Sequence, residues 1–199
     1  SDTITAKVTP WFEEFIPKAT WRDYTLPGDI PPVNSGYPIT RIWDENYGQD
    51  GFHGLETQML PHTLTWDLGK TVKLSRLKYW PRKHADDRWK RGHAKVFEIW
   101  GSVSPNPTGE MDDSWIPLGR FESLKPSGPG TQITQEDIAF ADEGIEFEFG
   151  VSDFASNPFT PVRYIRFRTI STYANASFST VHILELSFWG ELVNQKSHY

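Results

Sequence analysis

The chain has 199 residues, a formal net charge of -6 and no cysteine, which suits one well-buried domain and excludes disulfides and thiolate chemistry. The negative charge argues against general affinity for nucleic acid or anionic lipid, because its summed field repels both. No apolar run approaches the roughly 18 residues of a membrane-spanning helix, and the opening SDTITAKV lacks the apolar stretch of a signal peptide, so the protein is either cytosolic or exported with its signal already removed.

Aromatic residues reach 15 %, with nine Trp, beside 15 Gly and 15 Pro. That balance favours short strands joined by many turns and predicts an all-β domain. Turn-rich clusters fall at 26–38 (LPGDIPPVNSGYP), 45–51 (ENYGQDG), 104–113 (SPNPTGEMDD) and 124–130 (LKPSGPG). Between them HTLTWDL (62–68), KLSRLKYW (73–80), AKVFEIW (94–100) and WIPLGRF (115–121) read as strands spaced for an antiparallel sandwich. TQEDIAFADEG predicts a short helix, with Thr134 and Asp137 at capping-box spacing and Gly144 as its stop. IEFEF (145–149) alternates, so Ile145, Phe147 and Phe149 share a core face opposite Glu146 and Glu148. In VRYIRFRTI (162–170) Ile165 and Phe167 face one way and Arg166 and Arg168 the other. In HILELSFW (182–189) Leu184, Leu186 and Phe188 line up together. Trp66, Trp80, Trp100, Trp115 and Trp189 lie in strand patterns and read as core or near it, and Trp21 and Trp43 as packed under N-terminal loops.

One loop stands out. RKHADDRWKRGH, between the strand ending in Tyr79, Trp80 and Pro81 and the one opening at Ala94, sets a single indole, Trp89, among many charges. Charge is expected on a loop; the ring is what needs a reason.

These motifs, in order from 66 to 190, resemble the discoidin domain (coagulation factor 5/8 type C). The resemblance is carried by WDLGKTVKLSRLKYWPR, KVFEIWGS, WIPLGRF, VRYIRF and HILELSFWG. EFIPKATWRDYTLPGD (14–29) and the DEGIEFEF insertion look like the version found in cell-surface proteins of Bacteroidetes polysaccharide-utilization systems. The resemblance implies a galactose-binding-like jelly-roll sandwich spanning 1–199, with an N-terminal extension and first strands in 1–40 and core motifs in 62–190. It further implies the C-terminal domain of a longer exported protein, at the cell surface as an outer-membrane lipoprotein or in the periplasm. The implied partner is a glycan or polysaccharide, with neighbouring domains of the same protein as further partners, and no nucleic acid or membrane insertion.

A sugar site needs an aromatic face for the C–H side of a pyranose and a few fixed polar groups for its hydroxyls. Trp89 is the candidate platform, against the plainer reading that it packs over its own loop's aliphatic stems. Arg82, matching the family's ligand-contacting Pro-Arg arginine, and Asp87 are candidate polar groups; the alternative for Arg82 is a structural pairing with Asp86 or Asp87. His53 matches the His of the family's Trp-His pair, here Phe52 and His53, and Glu56 follows it. Tyr173 and Phe178, in STYANASFST (171–180), sit where relatives offer a stacking aromatic. Arg91 replaces the Asn that precedes the loop's Gly in many sugar-binding members. One structural calcium ion is also implied: Asp44 and Glu185 match the family's carboxylate ligands, with backbone carbonyls completing a shell of about six to eight oxygens.

Catalysis is not expected. The sequence carries no GxSxG, HExxH, P-loop or dinucleotide fingerprint, and the adjacent Asp86 and Asp87 do not form the separated carboxylate pair of a glycosidase. The sequence therefore predicts a non-catalytic carbohydrate-binding or adhesion module. The competing reading is a structural domain that docks another protein, with Trp89 as its anchor.

Overall fold

The computed structural model describes residues 13–193; SDTITAKV and the rest of the first twelve residues of the expected N-terminal extension lie outside them. The strands are β1 (Glu14–Phe15), β2 (Arg22–Asp23), β3 (Phe52–His53), β4 (His62–Trp80), β5 (Ala94–Ser102), β6 (Ile116–Glu122), β7 (Ile145–Glu148), β8 (Val162–Thr172), β9 (His182–Ile183) and β10 (Glu185–Leu192), with one helix, α1 (Gln135–Glu143).

The segments 62–68 and 73–80, read from sequence as two strands, form the single strand β4. Its first part pairs antiparallel with β2 and β8, from His62 opposite Thr169 to Asp67 opposite Tyr164. Its second part pairs with β10 and β7, Tyr79 lying opposite Leu186 on one side and Ile145 on the other. Between the parts the register slips, and Gly69 takes φ +72°. A Cβ there would stand 2.5 Å from the Thr20 carbonyl oxygen, so both conformation and space demand glycine. The bend carries β4 from one sheet into the other, as corner strands do. One layer is thus β2, β4, β8, β5 and β6, and the second is β1, β10, β4 and β7. This is the all-β sandwich the sequence predicted.

Alternation fills the space between the layers. Leu184, Leu186 and Phe188 are buried, as are Ile145 and Phe149, while Glu146 and Glu148 face water. Phe97 and Phe167 stack at 4.6 Å, and Trp66 stacks on Phe188 at 6.2 Å beside Trp21. Each such ring stabilises the fold by about 1.5–3 kcal/mol. Trp80 and Trp115 are buried as well, whereas Trp43, Trp100 and Trp189 are partly exposed.

The outer face of β8 is covered where a sandwich would leave it wet. Arg166 is wholly buried, its guanidinium 4.4 Å from the Trp115 ring, with Nε donating to Thr65 Oγ1 and Nη1 to the Gly109 carbonyl, both at 2.9 Å. The turn-rich 104–113 segment folds over this face and is tied down by the arginine. Helix α1 starts as its sequence requires: Thr134 Oγ1 accepts the Asp137 N–H, and the Asp137 carboxylate accepts the Thr134 N–H. Gly144, at φ +88°, ends it. At one end of the sandwich β3 pairs with β9, setting His53 opposite His182.

Candidate functional site

The 82–93 loop departs most from expectation. Trp89 is not an exposed platform: it is 3 % exposed, with φ +61° turning its side chain inward. Its indole N–H donates to the Asp137 carbonyl at 2.8 Å, and its ring lies against His93, Tyr173 and Phe140. The loop's charges explain the inversion. Arg88 makes a bidentate pair with Asp142 of α1 at 2.8 and 2.9 Å, Lys90 reaches Asp86 at 2.9 Å, and Arg91 reaches Asp87 at 3.2 Å. Arg88 thus fastens the loop to the helix that covers the indole.

Tyr173 is a second correction. Its ring is half-buried against Trp89 and His93, its hydroxyl donates to the Ser123 carbonyl at 2.7 Å, and burial raises its pKa to about 12. It supports Trp89 and offers no free stacking face. Arg82 is likewise buried, donating to Asp50 at 2.9 Å and Asp87 at 3.3 Å. Of its two sequence readings, the structural pairing is the one present, with Asp87 and not with Asp86.

Other predicted residues do converge. A cleft of about 480 Å³ opens at the β3–β9 end of the sandwich, lined among others by Glu56, Arg91, Phe178, Thr180 and His182. Phe178 is 60 % exposed, and the Glu56 and Arg91 side chains are 67 % and 63 % exposed. His53 Nε2 lies 3.2 Å from Glu56 Oε1, and its ring sits edge-on to His182 at 4.3 Å. Beneath them, buried Asp87 receives Arg82, Arg91 and, at 3.3 Å, Nδ1 of His182. Burial opposes ionisation of Asp87, yet His182, Arg91 and Arg82 together hold its pKa below the ordinary carboxylate value. Burial, then His182 and Arg82, lowers His53 to about 4, so it is neutral near pH 7. His182 is also lowered by burial, and its Nε2 has no hydrogen-bond partner. Gly92 permits this packing, since a Cβ there would come within 2.8 Å of the His182 ring.

The cleft therefore presents an aromatic face, a carboxylate and a guanidinium around a histidine floor. Glu56 and Phe178 were predicted for the site. Sequence reasoning passed over Arg91, noticed only as a replacement, and His182, hidden in a strand that reads as core. The pairing of β3 with β9, which no local pattern announces, is what brings His182 to the floor.

Asp44 and Glu185, the calcium candidates, have other partners. Glu185 is fully buried; one oxygen is bound by the Lys18 ammonium and the other accepts the Glu45 N–H at 3.1 Å. Asp44 is exposed and accepts the Asn46 N–H at 2.9 Å. Among the described residues no group of three or more His, Asp or Glu is placed to hold a metal ion.

The sequence model of DUF5000, described as a domain of unknown function, matches residues 43–190. The structure superposes on the SusE-like protein BT2857 with a TM-score of 0.79 at 31 % identity, covering 92 % of this chain and 69 % of that one. The chain belongs to this DUF5000, SusE-like family. Its discoidin-like fold is shared more widely. A family 32 carbohydrate-binding module of Clostridium perfringens NanJ, in complex with galactose, aligns at TM-score 0.57 and 14 % identity over 89 % of this chain and 99 % of that one. A putative chitobiase fragment from Bacteroides thetaiotaomicron aligns at 0.62 and 20 % identity over 96 % and 99 %. No curated protein matches the chain. Among the described residues no helix is long and apolar enough to cross a membrane.

Proposed function

We propose that this domain is a non-catalytic carbohydrate-binding module exposed at a bacterial cell surface, and that it takes its glycan in the Glu56, Arg91 and Phe178 cleft. The observation that carries the reading is the exposed Phe178 ring in a cleft that also holds an exposed carboxylate, Glu56, and an exposed guanidinium, Arg91. A pyranose presents its C–H face to the ring and its hydroxyls to the polar groups. The solved relative in complex with galactose and the SusE-like relative support a sugar ligand and a surface setting. Glu56 is the exposed carboxylate of the cleft lining, while Asp87 below it is engaged by two arginines and a histidine. Hydrolysis with a facing pair of carboxylates therefore has no second partner there. One stacked ring and three or four hydrogen bonds, at roughly 1 kcal/mol each, give about -4 to -5 kcal/mol, a millimolar to high-micromolar site. Useful retention on a polysaccharide then calls for several modules acting together.

The test is a glycan array followed by affinity electrophoresis in polysaccharide gels, using wild type, Glu56→Gln and Arg91→Ala. The expected result is retardation by one glycan class, reduced in both variants, with the melting temperature unchanged in Glu56→Gln and lowered, with the unfolding still cooperative, in Arg91→Ala, which takes one cation from buried Asp87. A folded wild type that binds no glycan would sink the reading and favour the docking domain, whose proposed anchor would then have to lie elsewhere than buried Trp89.

A further inference from the structure

The Glu185 carboxylate ends up where a structural cation is expected in a domain of this resemblance, yet its surroundings do not suit one. Calcium asks for about six to eight oxygen atoms pointing inward. Here one carboxylate oxygen faces the Lys18 ammonium and the other faces the N–H of Glu45. Both neighbours are hydrogen-bond donors, which serve an anion and repel a metal ion. Asp44, the second expected ligand, is exposed and turned to the Asn46 N–H, which closes a local turn.

The lysine is delivered by the N-terminal segment, whose Ile16 and Trp21 are anchored in the core on either side of it. β1 adds to the edge of β10, pairing Glu14 with Gly190 and Phe15 with Trp189, and the Ile16 N–H continues the ladder to the Phe188 carbonyl at 2.9 Å. A 3-10 turn at Lys18–Thr20 then drops the ammonium onto Glu185, 5.9 Å from the rings of both Phe15 and Trp21. On the far side, Glu45 holds a left-handed φ of +60° that aims its N–H at the same carboxylate. An isolated buried carboxylate is costly, and a hydrogen-bonded cation offsets that cost.

We propose that the Lys18 ammonium is a built-in replacement for the structural metal ion. It neutralises Glu185 and pins the N-terminal segment and the 44–46 turn to β10, so that the domain folds without a divalent cation. The arrangement makes a covalently attached cation do what an exchangeable one would otherwise do, which removes any dependence on the calcium of the surroundings.

Thermal unfolding and terbium luminescence test this independently of glycan binding. The wild type is expected to melt at one temperature in excess EDTA and in excess calcium, with no terbium signal saturating at the site. Lys18→Met, which keeps the stem and removes the charge, lowers the midpoint by roughly 10 °C. Lys18→Met combined with Glu185→Gln regains part of that loss, because no charge is left buried. Should the single variant not fold, the wild-type comparison and the double variant still decide. A wild type stabilised by calcium, or destabilised by EDTA, would overturn the proposal, and so would a Lys18→Met protein that melts with the wild type.

Discussion

The 82–93 and 171–180 loops are near neighbours, and each sets an aromatic ring among polar residues, but they use it in opposite ways. Trp89 points inward under α1; Phe178 points into the open cleft. The difference lies in what the surrounding charges pair with. Around Trp89 the Arg88 guanidinium closes on Asp142 of the covering helix, whereas Arg91 and Glu56 beside Phe178 keep most of their surface exposed. A charged loop around an aromatic is thus open to a ligand only where its charges keep a solvent-facing side. Where they clamp a second element, the loop is part of the core.

The sharpest break of this comparison is Trp89→Ala. Removing a buried indole and its hydrogen bond to Asp137 should cost about 3–5 kcal/mol, read from the midpoint of a urea titration at unchanged slope. An exposed platform would instead lose under about 0.5 kcal/mol, and that small value would restore the sequence reading.

A second measurement probes the packing beneath the indole. His93 is buried, and its Nδ1 accepts the Trp89 backbone N–H at 2.8 Å, so the ring must stay neutral. Burial, then His182, lowers its pKa from 6.5 to about 3. Its contribution is therefore complete above the unfolded value and is lost as pH falls from 6.5 toward about 3, because the unfolded state takes up the proton first. The slope is about 1.4 kcal/mol per pH unit. His53, lowered to about 4, adds a slope of the same sign. Glu185, raised to about 7 by burial against the ordinary 4.5, adds the opposite one, gaining stability as pH falls between those values. Comparing wild type with His93→Asn cancels both. The variant should lose about 1.4 kcal/mol per pH unit of acid sensitivity; an unchanged slope would mean that His93 titrates freely.

The fold was largely legible because its signals are local. Alternation in 145–149 assigns the core face residue by residue, in 182–189 it picks out Leu184, Leu186 and Phe188 although Glu185 and Ser187 opposite them are buried too, and the Thr134, Asp137 and Gly144 spacing delimits α1. The site was legible only in part, because its contacts are remote in sequence. Burial of Trp89 depends on a helix some 50 residues away, and the cleft floor depends on pairing His53 with His182. Arg82 carried two readings, and only the distance to Asp87 separates them. Merging two expected strands into β4 turns on Gly69, whose sequence neighbours look like an ordinary turn.

Phe178→Ala carries the smallest expected change in stability and bears most directly on the cleft. The ring is 60 % exposed, and the backbone beside it is held by pairing with Met59, which a side-chain truncation leaves in place. Unfolding free energy should therefore stay within about 0.5 kcal/mol of wild type. A sugar stacked on the ring would lose about 0.5–1.5 kcal/mol of aromatic contact, roughly a two- to tenfold weaker retardation in a polysaccharide gel. Phe178→Trp, with a wider face at the same place, should hold or increase it. If neither substitution moves retardation by the glycan that wild type binds, the ring does not contact it. The recognition surface would then have to be sought on the Glu56 and Arg91 side of the cleft.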